Sequence, residues 1–203
     1  MAGIGNKAAR AAARIGKAEA EAARAMSPLR SHDALSKLAD LGDQPQLRTL
    51  ALATAAAGAA AGPRSSYGPR LLRAGIRMLV AHQIATVAKD FVKRRVDRTR
   101  PRSLSRPGRD HRIAPGTSQA KEETSFPSGH AAGASAAARA FAREFPELAA
   151  PAALAGGVLS LVQVPRSAHY PSDIGAGLAI GIASEAALAA LWPASNQENR
   201  LAR

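Results

Sequence analysis

The sequence predicts an all-α protein, a multi-helix bundle, and three observations support this fold class. Hydrophobic residues make up 46% of the chain but aromatic residues only 3%, because most of the apolar content is alanine with some leucine, glycine and valine. Such residues suit close-packed helices better than a β-sandwich. Apolar runs of helical length alternate with breaks that contain proline or glycine. The 203 residues are enough for one domain of roughly five to seven helices.

The N-terminal segment, residues 1–45, is predicted to be basic, Ala-rich, amphipathic and helical. Basic residues recur between positions 7 and 17, so the segment lacks the uninterrupted apolar core of a cleavable signal peptide. A charged helix lying on a surface and a weakly helical tail both fit this pattern. A short amphipathic piece at residues 32–41 leads to the main helical domain, residues 46–193.

The main domain is predicted to contain five core helices, at residues 49–63, 69–92, 127–145, 148–164 and 171–191. Prolines at the starts of three of them suit a first helical turn, where no N–H is needed. The second helix is predicted to continue toward Arg98 as a cationic C-terminal end, which the helix dipole favours. Proline and glycine interrupt residues 99–126, which we interpret as a loop. A polar tail, residues 194–203, follows the last helix.

The apolar runs raise the question of a membrane. Residues 148–165 and 173–192 approach the about 20 apolar residues that a spanning helix needs. Alanine contributes little to insertion, however, and the mean hydropathy is −0.13. We predict a membrane-embedded bundle, a multi-pass protein of the cell membrane, with a soluble bundle as the alternative.

Charge and cysteine content limit the chemistry. The 28 Lys and Arg against 15 Asp and Glu give a net charge of +13, which favours anionic partners such as nucleic acid, acidic lipid or phosphorylated substrates. The basic cluster at residues 89–112 lacks interleaved aromatic residues, which argues against nucleic acid. Because cysteine is absent, disulfides, thiolate chemistry and sulfur-ligated zinc sites are excluded.

If the five helices are antiparallel neighbours, three polar segments meet at one end of the bundle. In the first, Lys93 and Arg100 are seven residues apart, about two helical turns, so both point the same way before Pro101 ends the helix. Two cations of different shape suit a bound phosphate. A solvated or lipid-contacting face is the alternative.

The second segment is Pro-Ser-Gly-His at residues 127–130. At a helix start, the backbone N–H groups of Ser128 and Gly129 would point at an anion. An ordinary helix start explains the first three residues but not His130, which could donate a proton to a leaving oxygen.

In the third segment His169 and Asp173 are four residues apart beside Pro171. The carboxylate could accept a hydrogen bond from one imidazole nitrogen and leave the other free as a nucleophile. Taken singly, the two residues also fit a turn and a first helical turn.

The order Lys-x6-Arg-Pro, Pro-Ser-Gly-His and Arg…His-x3-Asp resembles the type-2 phosphatidic acid phosphatase superfamily, which includes lipid phosphatases, soluble acid phosphatases and vanadium haloperoxidases. The resemblance spans roughly residues 50–191. It implies that His169 is the nucleophile that forms a phosphohistidine, that Asp173 orients it, and that His130 is the general acid. The phosphate ligands would be Lys93, Arg100, Ser128 and Gly129, with no metal or cofactor.

One position departs from the family pattern. The family arginine lies six residues before the histidine, where this chain has Gln163. Arg166 lies about one helical turn further on, and we interpret it as the replacement, with Gln163 as a weaker neutral donor.

The predicted function is that of a metal-independent phosphohydrolase acting on a lipid phosphate monoester or pyrophosphate, of the phosphatidate or polyprenyl pyrophosphate type. Its expected partners are the phosphorylated lipid and the bilayer. A soluble non-specific acid phosphatase of the same superfamily is the first alternative, and a basic module binding nucleic acid or a membrane surface is the second.

Overall fold

The computed structural model describes residues 2–194, and for residues 2–13, 27 and 30 it describes the backbone alone. Most of the predicted polar tail, residues 195–203, lies outside the described residues. The all-α prediction is confirmed. The described helices are α1 (Ala2–Ala25), α2 (Asp33–Asp40), α3 (Gln44–Ala61), α4 (Gly68–Lys93), α5 (Gly129–Glu144), α6 (Ala149–Leu161) and α7 (Pro171–Leu191).

Two helix starts differ from the prediction by two residues or more. Helix α3 begins at Gln44, five residues early, because Asp43 occupies the N-cap position and Pro45 fits within the first turn. Helix α5 begins at Gly129, because Ser128 is its N-cap and accepts a hydrogen bond from the N–H of Ala131 at 3.3 Å. Residues 44–48, which the prediction left outside the helix, are therefore helical.

The cationic end of α4 is not helical, which corrects the prediction that the helix continues to Arg98. Helix α4 ends at Lys93, and the strand β1 (Val96–Arg98) pairs antiparallel with β2 (Ile113–Pro115). Beyond the strand, Arg100 donates its backbone N–H to the Glu122 carbonyl at 2.7 Å. The long loop thus forms hydrogen bonds with both edges of the extended segment at residues 96–100. These bonds replace the ones that a helix would form.

The core is formed where α5 packs against α4, α6 and α7. Alanine side chains of this core, such as those of Ala81, Ala132 and Ala136, are 0–1% exposed. Gly177 and Gly181 of α7 face α5 so closely that a Cβ there would lie 2.5 Å from the Ser128 carbonyl oxygen and 2.0 Å from Ser135 Oγ. Small side chains therefore set the spacing between α5 and α7.

A buried ionic cluster joins α4, α5 and α7 at the end far from Ser128. Glu185 of α7 is fully buried and lies 2.9 Å from Arg143, 3.3 Å from Arg139 and 3.6 Å from Arg77. A buried carboxylate is tolerated only when it is paired. Glu185, which lies in the apolar part of α7 beyond its first turn, therefore has a structural role.

Helix α1 packs on the long loop. Its residues Ala20 and Ala23 form a small buried cluster with Leu104 and Tyr170, and a Cβ on Gly16 would lie 2.8 Å from the His111 ring. The N-terminal helix thus contacts the segment that carries His169.

Candidate active site

A cavity of about 560 Å³ lies at the end of the bundle where α4 ends and α5 begins. Seven of the nine predicted site residues line it: Lys93, Arg100, Gly129, His130, Gln163, Arg166 and His169. The other two, Ser128 and Asp173, are fully buried beside it. The structure therefore brings the three predicted segments together at one end of the bundle, as expected for antiparallel helices. Lys93 and Arg100, however, meet through a strand and not along one helical face.

The His169 imidazole is buried and held in one orientation. Its Nδ1 lies 2.8 Å from the carbonyl oxygen of Ser125. Because a carbonyl oxygen can only accept, Nδ1 carries the proton and Nε2 is the unprotonated nitrogen. Burial lowers the pKa of His169 to about 4, so the ring is neutral at physiological pH and Nε2 can act as a nucleophile.

The carboxylate of Asp173 lies 3.6 Å from Nδ1 of His169, which is too far for the direct hydrogen bond that we predicted. The carboxylate instead accepts hydrogen bonds from Ser125 Oγ, the Tyr170 N–H at 2.9 Å and Arg98 at 2.6 Å. Oδ2, the oxygen nearest Nδ1 of His169, thus already accepts two hydrogen bonds, and the Ser125 carbonyl accepts the one from the imidazole. Ser125 therefore links the carboxylate to the histidine, a role that no local pattern indicated.

Main-chain carbonyls fix the guanidinium of Arg100. It donates to the carbonyls of Lys121 at 2.6 Å and of Ala168 and Thr124 at 3.2 Å each. These bonds use three of the five N–H donors of an arginine. Burial lowers the pKa of Arg100 to about 10, so it stays charged at neutral pH with two N–H groups available to an anion.

Lys93 supplies a second charge to the same cavity. Burial and the neighbouring Arg100 lower its pKa to about 8. Lys89 lies one helical turn earlier, lines the cavity as well and pairs with Asp90. The spacing of four residues between the two lysines was the signal that could have identified Lys89.

The start of α5 differs from the prediction at Ser128. Its backbone N–H donates to the Asp173 carbonyl at 3.0 Å, and its side chain caps the helix. The N–H of Ser128 is therefore occupied, and Gly129 is the member of this pair that lines the cavity.

His130 has an acidic neighbour outside the three motifs. Its Nε2 lies 2.6 Å from Asp43 Oδ1, close enough for an ion pair but without hydrogen-bond geometry. Burial lowers the pKa of His130, Asp43 raises it, and Arg166 and Arg100 lower it further. The ring centroids of His130 and His169 are 6.4 Å apart, which leaves room for a phosphoryl group between the two imidazoles.

Gln163 and Arg166 both reach the cavity. The Gln163 side chain is 1% exposed, and its Nε2 has no hydrogen-bond partner among the described residues. Arg166 is more exposed and lies 3.7 Å from Asp40. The buried Gln163 amide and the half-buried Arg166 guanidinium thus stand where the family has one arginine.

Sequence reasoning missed several residues that line this cavity. Arg102 and Lys121 come from the long loop, Asp40 is the last residue of α2, and Asp43 comes from the turn between α2 and α3. Asp43 before Gln-Pro carried the signal of a helix N-cap, but nothing in the sequence indicated which site that helix start approaches.

Comparisons with known proteins identify the family of the chain. The PAP2 superfamily model matches residues 71–197, more than half of the chain, so the chain belongs to the PAP2 superfamily. The resemblance inferred from the motifs is therefore confirmed. Membership supports a phosphatase, a hydrolase of phosphoric esters or anhydrides. No curated protein gives a significant match.

Two solved structures share the fold. One is a transmembrane PAP2 type phosphatidylglycerolphosphate phosphatase from Bacillus subtilis, 16% identical, with a TM-score of 0.60 and coverage of 86% of this chain and 84% of that one. The other is Aquifex aeolicus LpxE, 20% identical, with a TM-score of 0.54 and coverage of 81% and 90%. At these identities the likeness concerns the fold.

Proposed function

We propose that this protein removes phosphate from a lipid phosphate monoester or pyrophosphate through a phosphohistidine on His169. One observation carries the lipid assignment: the cationic cavity adjoins an apolar groove. The groove, about 340 Å³, is lined from α3, α5 and α6. Its residues Leu47, Ala134 and Leu159 lie within one helical turn of cavity residues.

The groove suits a hydrocarbon chain. From His130 at the cavity to Phe141 in the groove, α5 rises about 16 Å. Apolar side chains form nearly all of the groove lining. A substrate with its phosphate at Arg100 could therefore lay its chain along α5, where burial of apolar surface stabilises binding.

The reaction has two steps. Nε2 of His169 attacks phosphorus, the bond from phosphorus to the leaving oxygen breaks with its electron pair on oxygen, and His130 donates the proton that oxygen needs. Water then attacks the phosphohistidine, His130 takes the proton from water, and the electron pair of the nitrogen–phosphorus bond returns to Nε2. Arg100, Lys93 and the Gly129 N–H would stabilise the five-coordinate phosphorus. Neither step of this proposed reaction uses a metal.

We propose a membrane location, which agrees with a lipid substrate and rests on the apolar character of the helices. Among the described residues, α7 is the one helix long and apolar enough to cross a bilayer. Large apolar side chains also face outward from α3, α4 and α6. They include Leu52, Val87, Phe91, Leu154 and Leu161, each 58% exposed or more. The multi-pass arrangement stays a prediction.

Turnover of defined substrates in detergent tests the proposal. Phosphatidate or a polyprenyl pyrophosphate should be hydrolysed much faster than p-nitrophenyl phosphate, with no loss on addition of EDTA and with inhibition by vanadate, which mimics five-coordinate phosphorus. Strict magnesium dependence would contradict the mechanism. Equal turnover of soluble esters by protein left in a detergent-free supernatant would favour the soluble acid phosphatase.

A variant of the groove separates chain binding from chemistry. Ala155 lines the groove and is exposed on α6, whereas Ala153, two residues earlier, is exposed but outside the groove. We expect Ala155→Phe to raise KM about tenfold for a long-chain lipid phosphate, because the new ring fills the groove, and to leave p-nitrophenyl phosphate turnover unchanged. Ala153→Phe is the control. An unchanged KM for the lipid in Ala155→Phe, or an equal rise in Ala153→Phe, would show that the groove does not bind the chain.

The replacement of the family arginine is testable by two alanine variants. We expect Arg166→Ala to lower kcat/KM about 100-fold, because it removes a charged phosphate ligand. Gln163→Ala removes one neutral donor, for an expected loss of about tenfold. Steady-state kinetics measure both, with the exposed Arg64→Ala and Gln46→Ala as controls. Near-normal turnover in Arg166→Ala combined with an inactive Gln163→Ala would reverse the assignment.

Asp43 should set the basic limb of the pH profile. Catalysis needs His169 neutral, which holds above a pKa of about 4, and His130 protonated, which is lost as pH rises through its lowered pKa. The profile of kcat/KM is therefore bell-shaped with a mildly acidic optimum. Because Asp43 raises the pKa of His130, Asp43→Asn should move the basic limb to lower pH.

The measurement is kcat/KM against pH for Asp43→Asn and for the exposed control Asp33→Asn, with one substrate throughout so that its own ionisation is common to both. We expect the ratio of kcat/KM at pH 7 to kcat/KM at pH 5 to fall several-fold below the wild-type ratio in Asp43→Asn, and to equal the wild-type ratio in Asp33→Asn. A basic limb that stays in place would show that Asp43 does not act on the proton donor.

A further inference from the structure

A buried carboxylate of the N-terminal helix lies next to the active site. Glu19 of α1 is 9% exposed. Its Oε1 accepts the N–H of Ser172 at 2.8 Å, and its Oε2 accepts the Ser172 hydroxyl at 3.0 Å and the Arg98 guanidinium at 2.7 Å. Glu19 therefore caps the first turn of α7 from a helix more than 150 residues away in the chain.

Arg98 carries this contact to the site. It is 3% exposed, its guanidinium lies 4.2 Å from the Tyr170 ring centroid, and its NH1 donates to Asp173 Oδ1 at 2.6 Å. One end of the guanidinium binds Glu19 and the other binds Asp173. A continuous series of charge-assisted hydrogen bonds thus runs from Glu19 to a carboxylate 3.6 Å from His169 Nδ1.

The charges explain why two carboxylates are needed. Arg98 also donates through NH1 to the Ser172 hydroxyl at 2.7 Å, and its NH2 lies 3.3 Å from His111 Nε2, but its charged partners are Glu19 and Asp173. Because the guanidinium is planar, Glu19 at one end helps to fix the other end, and with it the carboxylate that binds Ser125 and so orients His169. Removing one partner from a buried charge network also leaves the other charge uncompensated.

We propose that Glu19 is a positioning residue for His169, so that α1 completes an active site whose family-matched part begins at residue 71. This proposal rests on the proposed function. Glu19 does not line the cavity, so it acts on the rate of the chemical step and not on substrate affinity.

The test compares Glu19→Gln with Glu21→Gln in the full chain. Glutamine has the size of glutamate, but its amide nitrogen cannot accept a hydrogen bond. That nitrogen would face a donor, either Arg98 or the Ser172 N–H. Glu21, on the same helix, is exposed. With the substrate on which the wild type is most active, we expect kcat and the rate of phosphoenzyme formation to fall about tenfold in Glu19→Gln. KM should stay within twofold, and Glu21→Gln should match the wild type.

A double-mutant cycle tests whether Glu19 acts through Arg98. We expect Glu19→Gln to have little further effect on kcat in the Arg98→Lys background. If Arg98→Lys does not fold, the single variant Glu19→Gln still tests the positioning role, because that role predicts a lower kcat with an unchanged KM. An active wild type with an unchanged Glu19→Gln, or an equal effect in both backgrounds, would overturn the positioning role. A wild type without phosphatase activity would overturn the proposed function and this proposal with it.

Discussion

In the variant His169→Asn we expect kcat to fall by about 10⁴-fold or more, because the variant has no nitrogen that can attack phosphorus. Asparagine can still offer an N–H to the Ser125 carbonyl, which His169 now binds at 2.8 Å, so the surrounding fold should be retained. Protein incubated with radiolabelled substrate and quenched should carry acid-labile, base-stable phosphate in the wild type and none in the variant.

His32→Asn is the matched control, since His32 is exposed and distant in sequence from all three motifs. It should trap phosphate as the wild type does. Trapped phosphate in His169→Asn would assign the nucleophile to another residue, and His130, whose ring centroid is 6.4 Å away, would be the first to examine. Equal melting temperatures of variant and wild type would exclude unfolding as the cause of the loss.

The core helices were predictable because their signals are local. Proline at position 171 and the apolar run after it define α7, and the observed helix, Pro171–Leu191, has the predicted limits. The meeting of His130 and His169 was predictable for a related reason. In a bundle of antiparallel neighbours the start of one helix and the turn between two others fall at the same end, so helix order alone brings the two histidines together.

Other parts depend on contacts between distant residues and have no local signal. Strand β1 forms because residues 113–115 pair with it, whereas its own sequence reads as the charged end of a helix. The turn between α2 and α3 brings Asp43 to His130, and α1 brings Glu19 to Arg98. In each case the partner is far along the chain, and composition and periodicity report only on neighbours.

The predicted direct hydrogen bond between His169 and Asp173 also depends on contacts with distant residues. The spacing of four residues brings the two groups near each other, and the structure has them 3.6 Å apart. The carboxylate, however, is also the acceptor for Arg98 and for the Tyr170 N–H. Competition for its two oxygens, and not the spacing, decides which group receives the imidazole proton.

Arg100→Lys should be the most damaging change that keeps the charge of the site. The guanidinium is fixed by three carbonyls, and its remaining N–H groups then point at the anion without reorganisation. A lysine has three donors on one nitrogen and cannot satisfy the carbonyls and the phosphoryl oxygens together. We expect kcat/KM to fall about 10²–10³-fold, as when one oxyanion donor is removed from an active site.

Vanadate binding shows whether this loss lies in the transition state. If Arg100 binds the equatorial oxygens of five-coordinate phosphorus, the inhibition constant for vanadate should rise by about the same factor as kcat/KM falls. Arg106→Lys, in the same loop but with a side chain 65% exposed, should change neither quantity. Should vanadate bind the Arg100→Lys variant as tightly as the wild type, the guanidinium would serve to hold the loop, and Lys93 would be the main cation on the phosphoryl group.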